Sequence, residues 1–244
     1  MKFTKKYTVM WYDTDANRIL RPSRLQVYMN ETASIQCEQM GLPLDSLRDE
    51  KGLAFILGSI STKILSPIHT SDEIEVSTWC KRAHGYSFIR YFEVKRGGEA
   101  VALAQSVWAL IDINEKRMVK ADENFNEFFP IDEPIPSEML PKKLRIPRDA
   151  TLSHVGERKI LFSDIDYNMH MNNTKYPDMI SDFIPDSEKY RISEISLSYI
   201  NEAHYNDTLT VTRSEINDDG EILLRALTSA GSTCLEAGIK IERV

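Results

Sequence analysis

Apolar and polar positions follow two periods along this chain, and the same succession of periods occurs twice. After Pro22-Ser23, the residues Leu25, Met29, Ala33, Cys37 and Met40 recur at helical spacing, and Gly41 supplies a C-terminal stop. After Asn172-Asn173, Tyr176, Met179, Ile180 and Phe183 stand at i, i+3, i+4 and i+7. That spacing predicts a second helix over 173–184, with Asn173 as its N-cap and Pro177 in the first turn, where a lost N–H costs little. Period-two alternation follows each helix: Ile74 and Val76 in the first half, Leu209 and Val211 in the second. Further strands are predicted at 86–95, 99–112, 221–229 and 233–243. Gly97-Gly98 and Asp218-Asp219-Gly220 read as hairpin turns.

The two halves resemble each other in detail. Asp13-Thr14-Asp15-Ala16-Asn17-Arg18-Ile19 aligns with Asp164-Ile165-Asp166-Tyr167-Asn168-Met169-His170 at an offset of 166 − 15 = 151. The stretch from His69 to Val76 echoes His204 to Val211 at an offset of 207 − 72 = 135. The longer segment 41–58 of the first half accounts for the difference. Five of the ten prolines (Pro130, Pro134, Pro136, Pro141, Pro147) lie between the halves, and proline removes a backbone donor and fixes φ. The chain is therefore expected to divide into residues 1–128, a Pro-rich linker over 129–151, and residues 152–244. The expected class is α+β: two long helices, each wrapped by a curved antiparallel sheet.

Composition narrows the function classes. The chain has 244 residues, 42% of them hydrophobic and 27% charged, the mix of a protein that folds around a core. A net charge of −7 disfavours general nucleic-acid binding, which needs a basic field. No apolar run approaches a membrane span, and the N-terminal residues lack the apolar stretch of a secretory signal. Cys37, Cys80 and Cys234 are far apart and form no CxxC pair, so neither a zinc site nor a disulfide framework is expected. The default compartment is a reducing cytoplasm.

Candidate chemistry gathers in the second half. Asp166, Asn168 and His170 place a carboxylate, an amide and an imidazole at alternate positions, which would share one face of an extended segment. They lead into the helix start at Asn173, whose N–H groups could polarise a carbonyl. Glu202 follows, beside His204. The first half has Ile19 where His170 stands and Pro67 where Glu202 stands, so one site of a duplicated pair is retained. Asp166 and Asn168 could equally form turn and cap hydrogen bonds. The basic residues Lys81, Arg82, Arg90, Lys95 and Arg96 read as a solvated face. There is no GxSxG, GxGxxG, HExxH or Walker A motif.

The string from Phe162 to Tyr176 resembles the D-x-N-x-H-x-N-N-x-x-Y signature of acyl-acyl-carrier-protein thioesterases. Thr78-Trp79 and Gln105-Ser106-Val107-Trp108 are similar to the same family. The resemblance implies a tandem hot-dog fold, with catalysis in the C-terminal half and the acyl pocket mostly in the N-terminal half. It places the family's catalytic residues on Asp166, Asn168, His170 and Glu202. The cysteine that follows this glutamate in plant members is Ala203 here, which excludes a cysteine nucleophile at that position. The implied reaction is hydrolysis of fatty acyl-acyl carrier protein, the carrier protein being the partner and no cofactor or metal being required. Both a homodimer and a fused pair complete by itself are compatible with the sequence. Met29, Ala33, Phe55 and Leu57 are candidates for the acyl pocket, and Asn173 for holding the thioester carbonyl. A hot-dog acyl-CoA thioesterase and a non-catalytic acyl-binding module are the alternatives.

Overall fold

The computed structural model describes residues 2–81, 83, 85–121, 128 and 144–244. Most of the linker expected over 129–151, together with Arg82 and His84, lies outside the described residues. Residues 144–151 have no regular secondary structure and run beside the second half, where the Ile146 N–H donates to Glu236.

Strands β1 (Phe3–Thr8), β2 (Leu53–Ile64), β3 (Glu73–Cys80), β4 (Ser87–Arg96), β5 (Glu99–Asp112) and the short β6 (Arg117–Val119) belong to the first half. Strands β7 (Ser153–Lys159), β8 (Tyr190–Tyr199), β9 (Thr208–Arg213), β10 (Glu221–Leu227) and β11 (Thr233–Arg243) belong to the second. The hairpins expected at Gly97-Gly98 and Asp218-Asp219-Gly220 are present, and both glycines of the first pair and Gly220 have positive φ.

The strand order is β1-β3-β4-β5-β2-β8-β11-β10-β9-β7, with every pairing antiparallel and β6 added beside β5. Each half thus contributes five strands in equivalent order, read outward from the join. The two sheets are one continuous sheet, joined through β2 and β8. At the centre of that join Ser61 pairs with Ser196, its own counterpart at the 135 offset, and their hydroxyls lie 2.9 Å apart. The neighbouring pairs Ser59–Ser198 and Lys63–Glu194 are exchanged by the same offset. The halves are therefore related by a local two-fold axis at Ser61 and Ser196.

The helices differ between the halves. Helix α1 (Pro22–Gln39) is 18 residues long and buries Leu25, Met29, Ala33 and Cys37, as the spacing predicts. Helix α2 (Leu44–Lys51), within the 41–58 segment, ends at Gly52 in the left-handed region (φ 63°). The helix expected over 173–184 is shorter: a 3-10 turn over Asn173–Lys175 leads into α3 (Tyr176–Asp182), and Pro185 follows closely. Its stripe is nevertheless the predicted one, with Tyr176, Met179 and Ile180 buried. These side chains share one hydrophobic cluster with Leu25 and Met29 of α1 and with Leu209, Val211, Ile222 and Leu224 of the second sheet. Burial of each such side chain contributes roughly 1.5–3 kcal/mol. A smaller cluster, formed by Leu42, Leu47, Phe88 and Leu110, seats α2 against the first sheet.

Candidate active site

The two Asp-x-Asp-x-Asn segments fold alike. Thr14 bridges Leu20 as Ile165 bridges Met171, and Ile19 bridges His69 as His170 bridges His204. In both, the first aspartate is buried and ion-paired: Asp13 with Arg24 at 2.6 Å, Asp164 with Arg158 at 2.8 Å. In both, the second aspartate closes a turn. Asp15 Oδ1 accepts from the Asn17 and Ile19 N–H groups, and Asp166 Oδ1 accepts from the Asn168 N–H at 2.9 Å. Arg18 and Met169 take left-handed backbone at equivalent positions, with φ of 62° and 65°.

This geometry corrects the expectation of an extended segment. The Asp166 turn reverses the chain, so Asp166, Asn168 and His170 do not share one face of a strand. The signal for it was present: an aspartate two residues ahead of an asparagine favours a side-chain-closed turn. The helix cap is also displaced by one residue. Asn172, not Asn173, caps, its Oδ1 accepting from the Thr174 N–H at 2.9 Å and from the Thr174 hydroxyl at 2.7 Å. Asn172 Nδ2 reaches back to Asp166 Oδ2 at 3.3 Å. The Thr174 N–H is thereby engaged and is not free to polarise a carbonyl.

Asn173 turns toward the first half. Its Oδ1 lies 3.4 Å from Nδ2 of Asn30 and from Nε2 of Gln26, both on α1, and its carbonyl accepts from the Tyr199 hydroxyl at 3.0 Å. The Arg48 guanidinium of α2 stacks 4.2 Å from the ring centre of Tyr167, in the Asp166 turn. The Asp166 turn and Asn173 of the second half are thus in contact with residues of the first.

Between them lies a cleft of about 500 Å³. Its lining includes Asp166, Asn168 and Asn173 of the second half, Phe55, Phe88 and Trp108 of the first sheet, and Ala33 and Cys37 of α1. Of the expected acyl-pocket residues, Ala33, Phe55 and Asn173 line it. Met29 and Leu57 do not: both are packed into the main cluster, 1% and 5% exposed. Asn168 is exposed, and its side-chain amide makes no hydrogen bond among the described residues.

His170 and Glu202 come together beside the turn rather than in the lining of the cleft. Nε2 of His170 lies 3.6 Å from Oε1 of Glu202, and Nε2 of His204 lies 3.8 Å from Oε2 of the same carboxylate. Ala203 is fully buried, and its carbonyl accepts from the Met171 N–H. Cys234 is buried with its thiol donating to the Ala226 carbonyl, and burial pushes that thiol up to about 12, which removes it as a nucleophile.

A family model of the acyl-ACP thioesterase N-terminal domain matches residues 1–129, and one of the C-terminal domain matches residues 148–242. The chain belongs to the acyl-ACP thioesterase family. Among curated members, palmitoyl-acyl carrier protein thioesterase of Gossypium hirsutum is 23% identical over 99% of this chain and 62% of its own length. Dodecanoyl-[acyl-carrier-protein] hydrolase of Umbellularia californica is 23% identical over 99% of this chain and 63% of its own. The chain spans about three-fifths of the length of these relatives, both of which are chloroplastic. Among solved structures, an acyl-ACP thioesterase from Bacteroides thetaiotaomicron superposes with a TM-score of 0.88 at 21% identity, covering 99% of this chain and 98% of that one. The 12:0-ACP thioesterase from Umbellularia californica superposes with a TM-score of 0.86 at 18% identity, covering 100% and 98%. The fold is the tandem hot-dog.

In this family member, sequence reasoning overlooked several residues of the cleft. Phe88, Arg90, Trp108 and Cys80 come from strands of the first sheet, and only the register of β3, β4 and β5 brings them together. Arg90, expected on a solvated face, is 6% exposed. The alternation held the signal: Phe88, Arg90, Phe92 and Val94 occupy one side of β4, and all four are buried. Lys95 and Arg96 do carry out surface roles, pairing with Glu93 and Asp72, and Lys81 is exposed. Among the described residues no helix is long and apolar enough to cross a membrane, and the three cysteines are unpaired.

Proposed function

We propose that this protein hydrolyses the thioester between a fatty acyl group and acyl carrier protein. The observation that carries this reading is the cleft itself, which joins the Asp166 turn of one half to an apolar wall in the other. The names of the family's curated members support the same reaction. In this reading residues 1–128 hold the acyl chain and residues 152–244 supply the chemistry, with 129–151 connecting them. Three unpaired cysteines fit a reducing compartment such as the cytoplasm.

In this reading Asn168 donates its side-chain amide to the thioester carbonyl, where negative charge develops. Asp166 is the carboxylate of the second half that faces the cleft; Oδ1 is held by the turn, and among the described residues Oδ2 meets Asn172. It takes the proton of the attacking water, or adds directly to the carbonyl carbon and is then released by water. The C–S bond breaks, and the leaving thiolate takes a proton from the His170 and Glu202 pair. A thioester is already activated, so carboxylate, amide and imidazole suffice.

The test is hydrolysis by the purified protein of acyl-carrier-protein thioesters and matching acyl-CoA, with His170→Ala and Asp166→Ala as controls. Release of fatty acid from the carrier protein, lowered by on the order of 10²–10⁴ in each folded variant, is expected. Hydrolysis of CoA esters alone would replace the carrier protein by CoA. Tight binding without release would replace the enzyme by a binding module.

A further inference from the structure

We propose that Asn30 of α1 recognises the thiol arm of the substrate, its side-chain oxygen accepting the amide N–H that lies two carbons beyond the thioester sulfur. The inference rests on reading the cleft as a thioesterase site and gives the first half a part in holding the leaving group.

A directional chain of hydrogen bonds runs where the halves meet. The Tyr199 hydroxyl donates to the Asn173 carbonyl at 3.0 Å. Its one proton is thereby engaged, so toward Gln26, at 3.3 Å, it accepts, and Nε2 of Gln26 is the donor. The same Nε2 reaches Oδ1 of Asn173 at 3.4 Å, which makes that end of the Asn173 amide an acceptor. Asn30 therefore turns Nδ2 toward it, also at 3.4 Å. The end left over is Oδ1 of Asn30, which is buried and has no hydrogen-bond partner among the described residues.

A buried acceptor without a donor is costly, and folded proteins keep few of them. Asn30 lines the cleft together with Asp166, Asn168 and Asn173, so a molecule in the cleft can bring the donor. A saturated acyl chain and its thioester carry no N–H or O–H. The nearest donor in such a substrate is the amide N–H of the pantetheine arm, common to carrier-protein and CoA esters. Asn30 meets Asn173, and the neighbouring Asn172 meets Asp166. With the amide on Asn30, the two-carbon spacer brings the thioester to the Asp166 turn. The arrangement is one-sided: at the 151 offset α3 has Ser181, whose hydroxyl donates to the Pro177 carbonyl at 3.0 Å, so the Asp15 turn faces no counterpart of Asn30.

The experiment uses two small esters that differ at one position: the octanoyl thioester of N-acetylcysteamine, and that of 2-acetoxyethanethiol, in which an ester oxygen replaces the N–H. Octanoate release is measured for the wild type and Asn30→Leu. The expected result is kcat/KM at least about tenfold higher for the N–H ester on the wild type, and a ratio near one in Asn30→Leu. A merely structural role would lower both esters together and leave the ratio unchanged. A wild-type ratio near one, or the wild-type ratio retained in Asn30→Leu, would overturn the proposal. Should Asn30→Leu not fold, Asn30→Ala takes its place; should neither fold, the wild-type ratio decides alone. Should neither small ester be hydrolysed, both are stable ligands, and calorimetry compares them. Tighter binding of the N–H ester, lost in the variant, supports the proposal; equal binding overturns it. Failure of the thioesterase reading is seen separately, as no release from octanoyl-carrier protein.

Discussion

Nε2 of His170 stands 3.6 Å from Oε1 of Glu202, although 32 residues separate them, because a backbone bridge from His170 to His204 brings the two segments together. The first half keeps the bridge, between Ile19 and His69, and has lost both side chains that use it. The scaffold of a second site therefore persists without its chemistry.

Glu202 sits between two imidazoles, and only one of them adjoins the Asp166 turn. Glu202→Gln is expected to lower kcat by about 10² through loss of the proton-handling pair. His204→Ala, at a 66% exposed side chain, is expected to lower it less than about tenfold. Steady-state kinetics on the carrier-protein ester, with circular dichroism to confirm folding, separates the two.

Restoring a histidine to the first half does not restore a site. Ile19 is 8% exposed, and Pro67 occupies the place of Glu202. Ile19→His in a His170→Ala background is expected to show no recovered hydrolysis and a stability loss of roughly 1–3 kcal/mol, read by urea denaturation.

The Arg48 guanidinium over the Tyr167 ring ties α2 to the Asp166 turn. Arg48→Ala removes an interaction worth roughly 0.5–1 kcal/mol. Its expected signature is a raised KM with kcat little changed, because the turn retains the Asp166 and Asn168 hydrogen bond.

Acid is expected to weaken the fold through Glu93. Burial alone pushes this carboxyl up, but the hydrogen bond and charge of Lys2, with Lys95, hold it below its ordinary value. A lowered folded value gives stability that is present above the ordinary carboxylate range and is lost as pH falls through the folded value. Asp72, held down by the His69 N–H and Arg96, acts with the same sign. The urea midpoint is expected to fall between about pH 6 and about pH 3, and Glu93→Gln to flatten that fall.

Thiol reagents are expected to leave hydrolysis intact. Burial pushes Cys80 up to about 11 and Cys234 up to about 12, and raises Cys37 as well. Iodoacetamide at about pH 8 should label the native protein slowly at all three and the urea-unfolded chain readily, as mass spectrometry would read.

The repeat, the stripes of α1 and α3, the hairpins at Gly97-Gly98 and Asp218-Asp219-Gly220, and the motif residues were legible in the sequence, because each is a local pattern of side-chain period or turn chemistry. So was the absence from the first copy of a histidine and a glutamate, since Ile19 and Pro67 stand in their places. What the tertiary structure decided is everything that depends on strand register and on the meeting of the halves. The join at Ser61 and Ser196, the withdrawal of Met29 and Leu57 into the core, and the approach of Asn30 to Asn173 follow from packing between residues far apart in the chain. The Asp166 turn was written locally as an aspartate before an asparagine, but its choice over an extended strand was decided by the bridge from Ile165 to Met171. Arg90 is the sharpest case: its place on the buried side of β4 follows from period two, whereas its hydrogen bonds to Gln36, Thr78 and Cys37 are set by which neighbours β3 and α1 bring to it.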